Sequence, residues 1–277
     1  CDHALGTLAD VVEAAAARGI SVFGVSEHAP RSSFGLLYPE EVAMGWTTET
    51  LAAQFHDYAV EVDGLSRTYA DRLVVLRGFE TEAAPAESYV DEMRALRTRY
   101  GFDFIVGSVH HVDDLLIDGP PGPFMRALEG RGGVEALAAA YYDRVAESVA
   151  ALRPEVVGHF DLIRKNGRHH GDVDAPAARA AALRALDAIE GTGAILDLNV
   201  AGLRKGLATP YPAPWIVAEA NRRSIPFCFG DDSHGPEQVG LGIEEGRAYL
   251  LANGVDSITT LTRREGAVVR ETIALDA

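Results

Sequence analysis

Along the chain, short apolar runs alternate with stretches in which apolar residues recur every three or four positions. Thr7–Arg18 places Leu8, Val11, Val12 and Ala15 on one face. Thr7 and Asp10 are spaced as a capping box and Gly19 ends the stretch, so a helix is predicted. The run ISVFGVSEH follows as a strand. A helical stretch over Thr47–Arg67, the run LVVLRGFE, a helix near Glu87–Arg99 and the run FDFIVGSVHH come next. VDDLLIDGPPGPF is broken by Gly and Pro and reads as a long loop. Beyond it lie a helix over Val134–Leu152 and the strand EVVGHFD. A further helix is capped by Asp174, has Pro176 in its first turn and stops at Gly191. The strand AILDLNV, a helix over Pro214–Arg223, the strand IPFCFGDDSH and a helix over Glu237–Ala252 complete the alternation. A strand pair around Ser257–Leu261 and Val268–Ile273 closes the chain.

Buried-type strands alternating with amphipathic helices predict βαβ units and a parallel sheet, an α/β fold. Six strands alternate in this way, and the Thr7 helix has no strand before it. The expectation is a parallel α/β fold whose first strand is missing from the chain. No linker or shift in composition divides residues 1–277, which are expected to form a single domain.

Composition narrows the function. At 47% hydrophobic and 24% charged residues the chain is of the ordinary globular kind. Its net charge of −16 disfavours polyanions, so nucleic acid and anionic membrane are not expected partners. No apolar run approaches the roughly 20 residues of a membrane span. The two cysteines, Cys1 and Cys228, lack CxxC spacing, which points to a reducing, cytoplasmic setting and gives no zinc-finger signal.

The chemistry lies where the strands stop. Successive runs end in Glu27-His28, Glu80, His110-His111, His159 with Asp161 close behind, and Asp231-Asp232-Ser233-His234. The carboxyl ends of parallel strands share one face, where active sites are built. A single polar residue at a strand end is ordinary. Five of the nine histidines in this position, beside Glu80, Asp231 and Asp232, predict a shared metal site. His56 falls in a helix pattern and reads as surface, while His169 and His170 fit either role. Mixed imidazole and carboxylate ligands suit Zn, Mn or Fe. So many ligands exceed the needs of one ion, and a polynuclear centre fits phosphoester hydrolysis. LIRKNGRHH and VAGLRKG place an Arg-Lys pair after each of two strands. Arg164 and Arg204 are the expected phosphate contacts, with Lys165 and Lys205 ranked below them. Cys228 reads as a buried small hydrophobe.

Ser26-Glu27-His28, Gly78-Phe79-Glu80, Gly107-Ser108-Val109-His110, Gly158-His159-Phe160-Asp161 and Asp232-Ser233-His234 resemble the polymerase-and-histidinol-phosphatase (PHP) superfamily in order and spacing. DLIRK and GLRKG resemble its stand-alone histidinol-phosphate phosphatases of histidine biosynthesis. The resemblance implies a distorted (β/α)7 barrel carrying three divalent metal ions. It also implies hydrolysis of a small phosphomonoester, L-histidinol phosphate, through a metal-bridging hydroxide. By that likeness Glu80 would bridge two ions and His110 and His159 would complete one of them. His3, His28 and His234 would hold a second, and Asp232 would serve the third with a His-x-His pair on the first strand. Glu80, Asp232 and His234 would be the catalytic residues, and Arg164, Arg204 and Lys205 would hold the substrate. The His-x-His pair is absent, so the chain reads as a fragment beginning just after it. The loops Ala29–Gly45 and Val112–Gly133 would roof the pocket. Two other outcomes stay open: a PHP phosphoesterase for phosphotyrosine or a nucleotide, and a metal-poor, non-catalytic PHP module.

Overall fold

The computed structural model describes residues 4–276. Ten strands occur among them: β1 (Val22–His28), β2 (Val74–Glu80), β3 (Phe104–Gly107), β4 (His111–Val112), β5 (Leu115–Leu116), β6 (Val156–Val157), β7 (Ile195–Asn199), β8 (Phe227–Gly230), β9 (Ser257–Arg264) and β10 (Ala267–Ala274). Six of these form one curled parallel sheet in the order β1-β2-β3-β6-β7-β8, a half-barrel with helices between the strands. The register sets His28 beside Glu80 and Glu80 beside Val106. The carboxyl ends of neighbouring strands are therefore level, and their last side chains share one rim.

Local rules account for most elements. Thr7 and Asp10 form the expected capping box, with Asp10 N 3.1 Å from Thr7 Oγ1, and the helix runs Leu8–Ala17. The helix Pro176–Thr192 departs from expectation at both ends. Its N-cap is Ala175, because the Asp174 carboxylate accepts from the Trp215 indole instead, at 3.0 Å. It runs through Gly191 and stops at Gly193, whose left-handed conformation lets its N–H return to the Ile189 and Glu190 carbonyls. The last long helix is confined to Ile243–Ala252. Before it, Arg18 takes the carbonyls of Pro236 and Val239 and Asp231 takes the Gly240 N–H, so that backbone is bonded outside any helix.

The stretch that read as one long loop is structured. β4 and β5 form a hairpin closed by Asp113 and Asp114, both at positive φ, as a two-residue turn requires. A helix follows over Pro121–Arg131. Its two prolines occupy the first turn, where a missing N–H costs nothing, and Phe124 and Ala127 bury one face. The earlier loop likewise carries a 3-10 turn over Phe34–Leu36 and a short helix over Pro39–Ala43.

Period-two alternation divides the sheet between two cores. Val75, Phe79, Ile105, Val157 and Leu196 pack toward the helices. Leu76, Phe104, Val156 and Ile195 point the other way and meet Leu261 of β9. The antiparallel β9–β10 hairpin thus fills the inner face of the half-barrel. Arg263 reaches Asp103 at 2.6 Å, just before β3, and Arg270 reaches the Gly193 carbonyl at 2.6 Å, just before β7. These ties anchor the hairpin at the amino-terminal end of the strands and leave the opposite rim open. Phe104 fills the inner face because Gly24 and Gly78 make room: a Cβ would lie 2.9 Å and 2.5 Å from its ring.

Candidate metal centre

Each parallel strand except β7 delivers a titratable group to the open rim, at its last residue or in the next few. Glu80 ends β2 and sits between three histidines. Its Oε1 is 3.0 Å from His159 Nε2 and 3.4 Å from His110 Nε2, and those two nitrogens are 3.3 Å apart. Its Oε2 lies 3.5 Å from His28 Nδ1. One carboxylate therefore turns an oxygen to each side, as a bridging ligand does. Glu80, His110 and His159 form a group able to hold an ion, and His28, Glu82 and His110 form another. At the end of β8, Asp231 is used by the turn, accepting the Ser233 and Gly240 N–H groups. Asp232, at positive φ, faces the cavity instead, with His234 Nδ1 2.9 Å from its carbonyl oxygen.

The residues present fit a metal. Three donor atoms converge on one point with two imidazole nitrogens facing each other, an arrangement suited to a shared cation. His110 turns Nδ1 to Glu82 at 3.2 Å, which leaves Nε2 with the lone pair on the ligand side. His159 Nδ1 is buried with no hydrogen-bond partner among the described residues. In the metal-free protein, charge is balanced internally. Burial opposes ionisation of Glu80 and Glu82, yet the facing imidazoles hold both carboxyls well below the usual range. Burial likewise opposes the charge on His110, which Glu82 and Glu80 nonetheless raise well above an ordinary histidine. Asp232 is lowered, its burial outweighed by Lys205 and His234.

His28, Glu80, His110, His159, Asp232 and His234 line a cavity of about 210 Å³ together with Tyr38, Glu40, Leu116, Asp118, Gly119, Pro120, Lys165 and Lys205. Of the two Arg-Lys pairs, the lysines face the cavity. Lys205 Nζ is 2.5 Å from Asp232 Oδ2 and Lys165 Nζ 3.5 Å from Asp118 Oδ2. Arg164 is engaged elsewhere: it meets Asp161 Oδ2 at 3.0 Å, the Pro210 carbonyl at 3.2 Å and Thr209 Oγ1 at 2.9 Å. Asp161 itself is fully buried and also accepts from Ala213 N. Arg204 donates to the Asp231 and Asp232 carbonyls and so holds the turn that presents Asp232. His3 lies outside the described residues. Leu5 N donates to the His234 carbonyl at 2.6 Å.

Glu82, Tyr38, Glu40, Asp118 and Asp197 escape a reading based on strand ends. For Glu82 a signal exists in GFETE, where a position two beyond Glu80 returns to the same face of extended chain. Asp197 lies inside β7 and hides among apolar neighbours. Burial raises its carboxyl to about 7, against the hydrogen bond from Asn199 that lowers it.

The PHP domain family model matches residues 1–201. The chain belongs to the PHP family. A Schizosaccharomyces pombe protein named "Probable histidinol-phosphatase" is 33% identical over 95% of this chain and 86% of its own. The crystal structure of a Listeria monocytogenes protein, a histidinol phosphatase candidate by name, superposes on this PHP chain with a TM-score of 0.77 at 25% identity. It covers 88% of this chain and 96% of that one. A histidinol phosphate phosphatase from Lactococcus lactis, crystallised with zinc, L-histidinol and phosphate, shares the fold with a TM-score of 0.69 at 16% identity, over 96% and 94% of the two chains. Among the described residues of the PHP chain, no helix is long and apolar enough to cross a membrane.

Proposed function

We propose that this PHP chain is a metal-dependent phosphomonoesterase that hydrolyses L-histidinol phosphate to L-histidinol and phosphate, a step of histidine biosynthesis. The observation that carries the reading is the charge layout of one cavity. Imidazoles and Glu80 gather at a metal-holding group, Lys165 and Lys205 offer cations, and Asp118 and Glu40 offer anions. A generic phosphomonoester needs the first two. A substrate that also carries an ammonium group and an imidazole makes use of the third. The names of the fungal and Listeria relatives and the ligands of the Lactococcus structure agree with this choice.

In this reading His110, His159 and Glu80 hold one divalent ion. His28 and His234, with His3, would hold a second, and Asp232 would serve a third. The donor set suits Zn, Mn or Fe. Ions bound there supply Lewis-acid stabilisation of phosphoryl oxygens and activation of water. The chain's own groups do the rest. Lys205 and Lys165 neutralise the phosphate oxygens, Arg204 keeps Asp232 aimed into the cavity, and Tyr38 and the Leu116–Pro120 segment enclose the reacting group. Residues 1–277 act as a single domain, and the free thiol of Cys228 suits the reducing cytoplasm.

The test is turnover of metal-loaded protein on L-histidinol phosphate, phosphotyrosine, a nucleoside monophosphate and p-nitrophenyl phosphate. The expected kcat/KM for L-histidinol phosphate exceeds the others by at least about 100-fold, the scale of a few lost polar contacts. Equal values for all four would sink the substrate assignment and leave a general phosphatase.

A further inference from the structure

We infer that Glu82 is a positioning residue that ties the metal ligands to the wall of the substrate cavity. The inference rests on the reading of the Glu80 cluster as a metal centre. Glu82 is fully buried and does not line the cavity, so it is not placed to touch substrate. Its two oxygens serve two different structures. Oε2 faces His110 Nδ1 at 3.2 Å and His111 Nδ1 at 3.4 Å, the two imidazoles that follow β3. Oε1 faces the Tyr38 hydroxyl at 3.1 Å, His28 Nδ1 at 3.3 Å and Arg31 Nη1 at 3.9 Å. The first oxygen orients a metal ligand. The second holds the 29–45 segment against the end of β1.

That segment is locked, not loose. Arg31 pairs with buried Glu41 and lies over the Tyr38 ring at 4.4 Å. Glu41 accepts the Tyr38 N–H at 2.8 Å, and Tyr38 stacks on His111 with ring centroids 6.3 Å apart and planes 12° from parallel. The segment places Tyr38 and Glu40 in the cavity wall. A carboxylate that accepts the Nδ1–H of a ligating imidazole fixes both its ring orientation and the nitrogen that carries the lone pair. Here the same carboxylate also accepts from the cavity wall. A shift of Tyr38 therefore moves the acceptor that aims His110, and a shift of His110 moves the anchor of Tyr38.

The test measures metal affinity directly, by competition with a chromophoric chelator for Zn²⁺ and with no substrate present. Glu82→Gln keeps the shape but offers an NH2 group where one set of donors needs an acceptor. The expected loss of affinity is about 10–100-fold with the number of ions per chain unchanged. Tyr38→Phe, which removes only the hydroxyl, is expected to lower affinity several-fold alone and to add nothing in the Glu82→Gln background. Three results would overturn the inference: unchanged affinity in Glu82→Gln, loss of a whole ion equivalent (which would make Glu82 a ligand), or independent, additive effects of the two substitutions. A wild-type chain that binds no Zn²⁺ would instead sink the metal-centre reading itself.

Discussion

Two Arg-Lys pairs that look alike in sequence do different work, and burial separates them. Arg164 is the counter-ion of Asp161, which is fully sequestered from water. Truncating one member of a buried pair leaves an uncompensated charge, at a cost of about 3–5 kcal/mol. Arg164→Ala is therefore expected to lose that much stability in urea unfolding, with KM for L-histidinol phosphate little changed in the folded fraction. A raised KM at unchanged stability would return Arg164 to the phosphate. Lys205 sits in the cavity wall against Asp232. Lys205→Met is expected to raise KM about 10-fold, the worth of one charge-assisted hydrogen bond, with stability near wild type. Glu80→Ala is expected to abolish turnover and reduce the ions retained after gel filtration, since one carboxylate serves both sides of the centre. Near-native activity would remove its bridging role. His28, Glu80, His110 and His159 were legible in sequence because each closes or directly follows an apolar strand. Glu82, Tyr38, Glu40 and Asp118 were not, because their positions depend on how two excursions fold back over the rim.

Among the elements, β2 carries a steric constraint close to the site. Its Gly78 faces the Phe104 ring at a distance no Cβ tolerates, two residues before Glu80. Gly78→Ala must push Phe104 out of the inner core or shift the strand, an overpacking cost of about 1–3 kcal/mol. Thermal unfolding would report it, and an unchanged midpoint would show that Phe104 yields freely. The helix Pro214–Arg222 gives a pH signature. Arg222 and Arg223 hold the Glu219 carboxyl down at about 2, below its ordinary 4.5, and Arg223 also bonds Asp187 and Glu190 of the neighbouring helix. A carboxyl depressed by folding stabilises fully above its unfolded pKa and loses that contribution as pH falls through its folded one. Glu219→Gln should therefore be less stable than wild type above about pH 4.5, with the gap closing toward pH 2. Urea midpoints across that range decide it, and a constant gap would assign the effect to packing. The helices around Val134–Leu152 and Pro176–Thr192 could be read from periodicity alone. The Pro121–Arg131 helix could not, since its clustered prolines and glycines mimic a loop until the first-turn positions are recognised.

At the scale of the whole molecule, the fold leaves one rim for chemistry and secures its base. The C-terminal hairpin closes the inner face from the amino-terminal side, while the opposite rim gathers ligands from strands far apart in sequence. The alternation predicted the parallel sheet and the rim. It could not predict that the hairpin would enter the inner face, because a polar-edged strand pair at a chain end has no signal for where it docks. The candidate ligands are spread across the sheet: His28, Glu80, His110, His159 and Asp232 come from β1, β2, β3, β6 and β8 or the residues just after them. No two of these are neighbours in an unfolded chain, so ions are expected to bind the native state almost exclusively and to stabilise it by mass action. With free ion 1,000-fold above Kd the gain is about 4 kcal/mol for one site. The metal-free protein is expected to fold as well, because Glu80 and Glu82 lie against His28 and His110 and offset the charge to which those raised imidazoles are drawn. Scanning calorimetry should accordingly show one transition with and without chelator, as expected of a single domain, and its midpoint should fall on chelation and return when Zn²⁺ or Mn²⁺ is restored. Because protons and metal compete for the same imidazole nitrogens, the gap between the two midpoints should also narrow as pH drops below the raised pKa of His110. A midpoint indifferent to chelator at neutral pH would mean that the rim is held together by its own ion pairs and holds no metal.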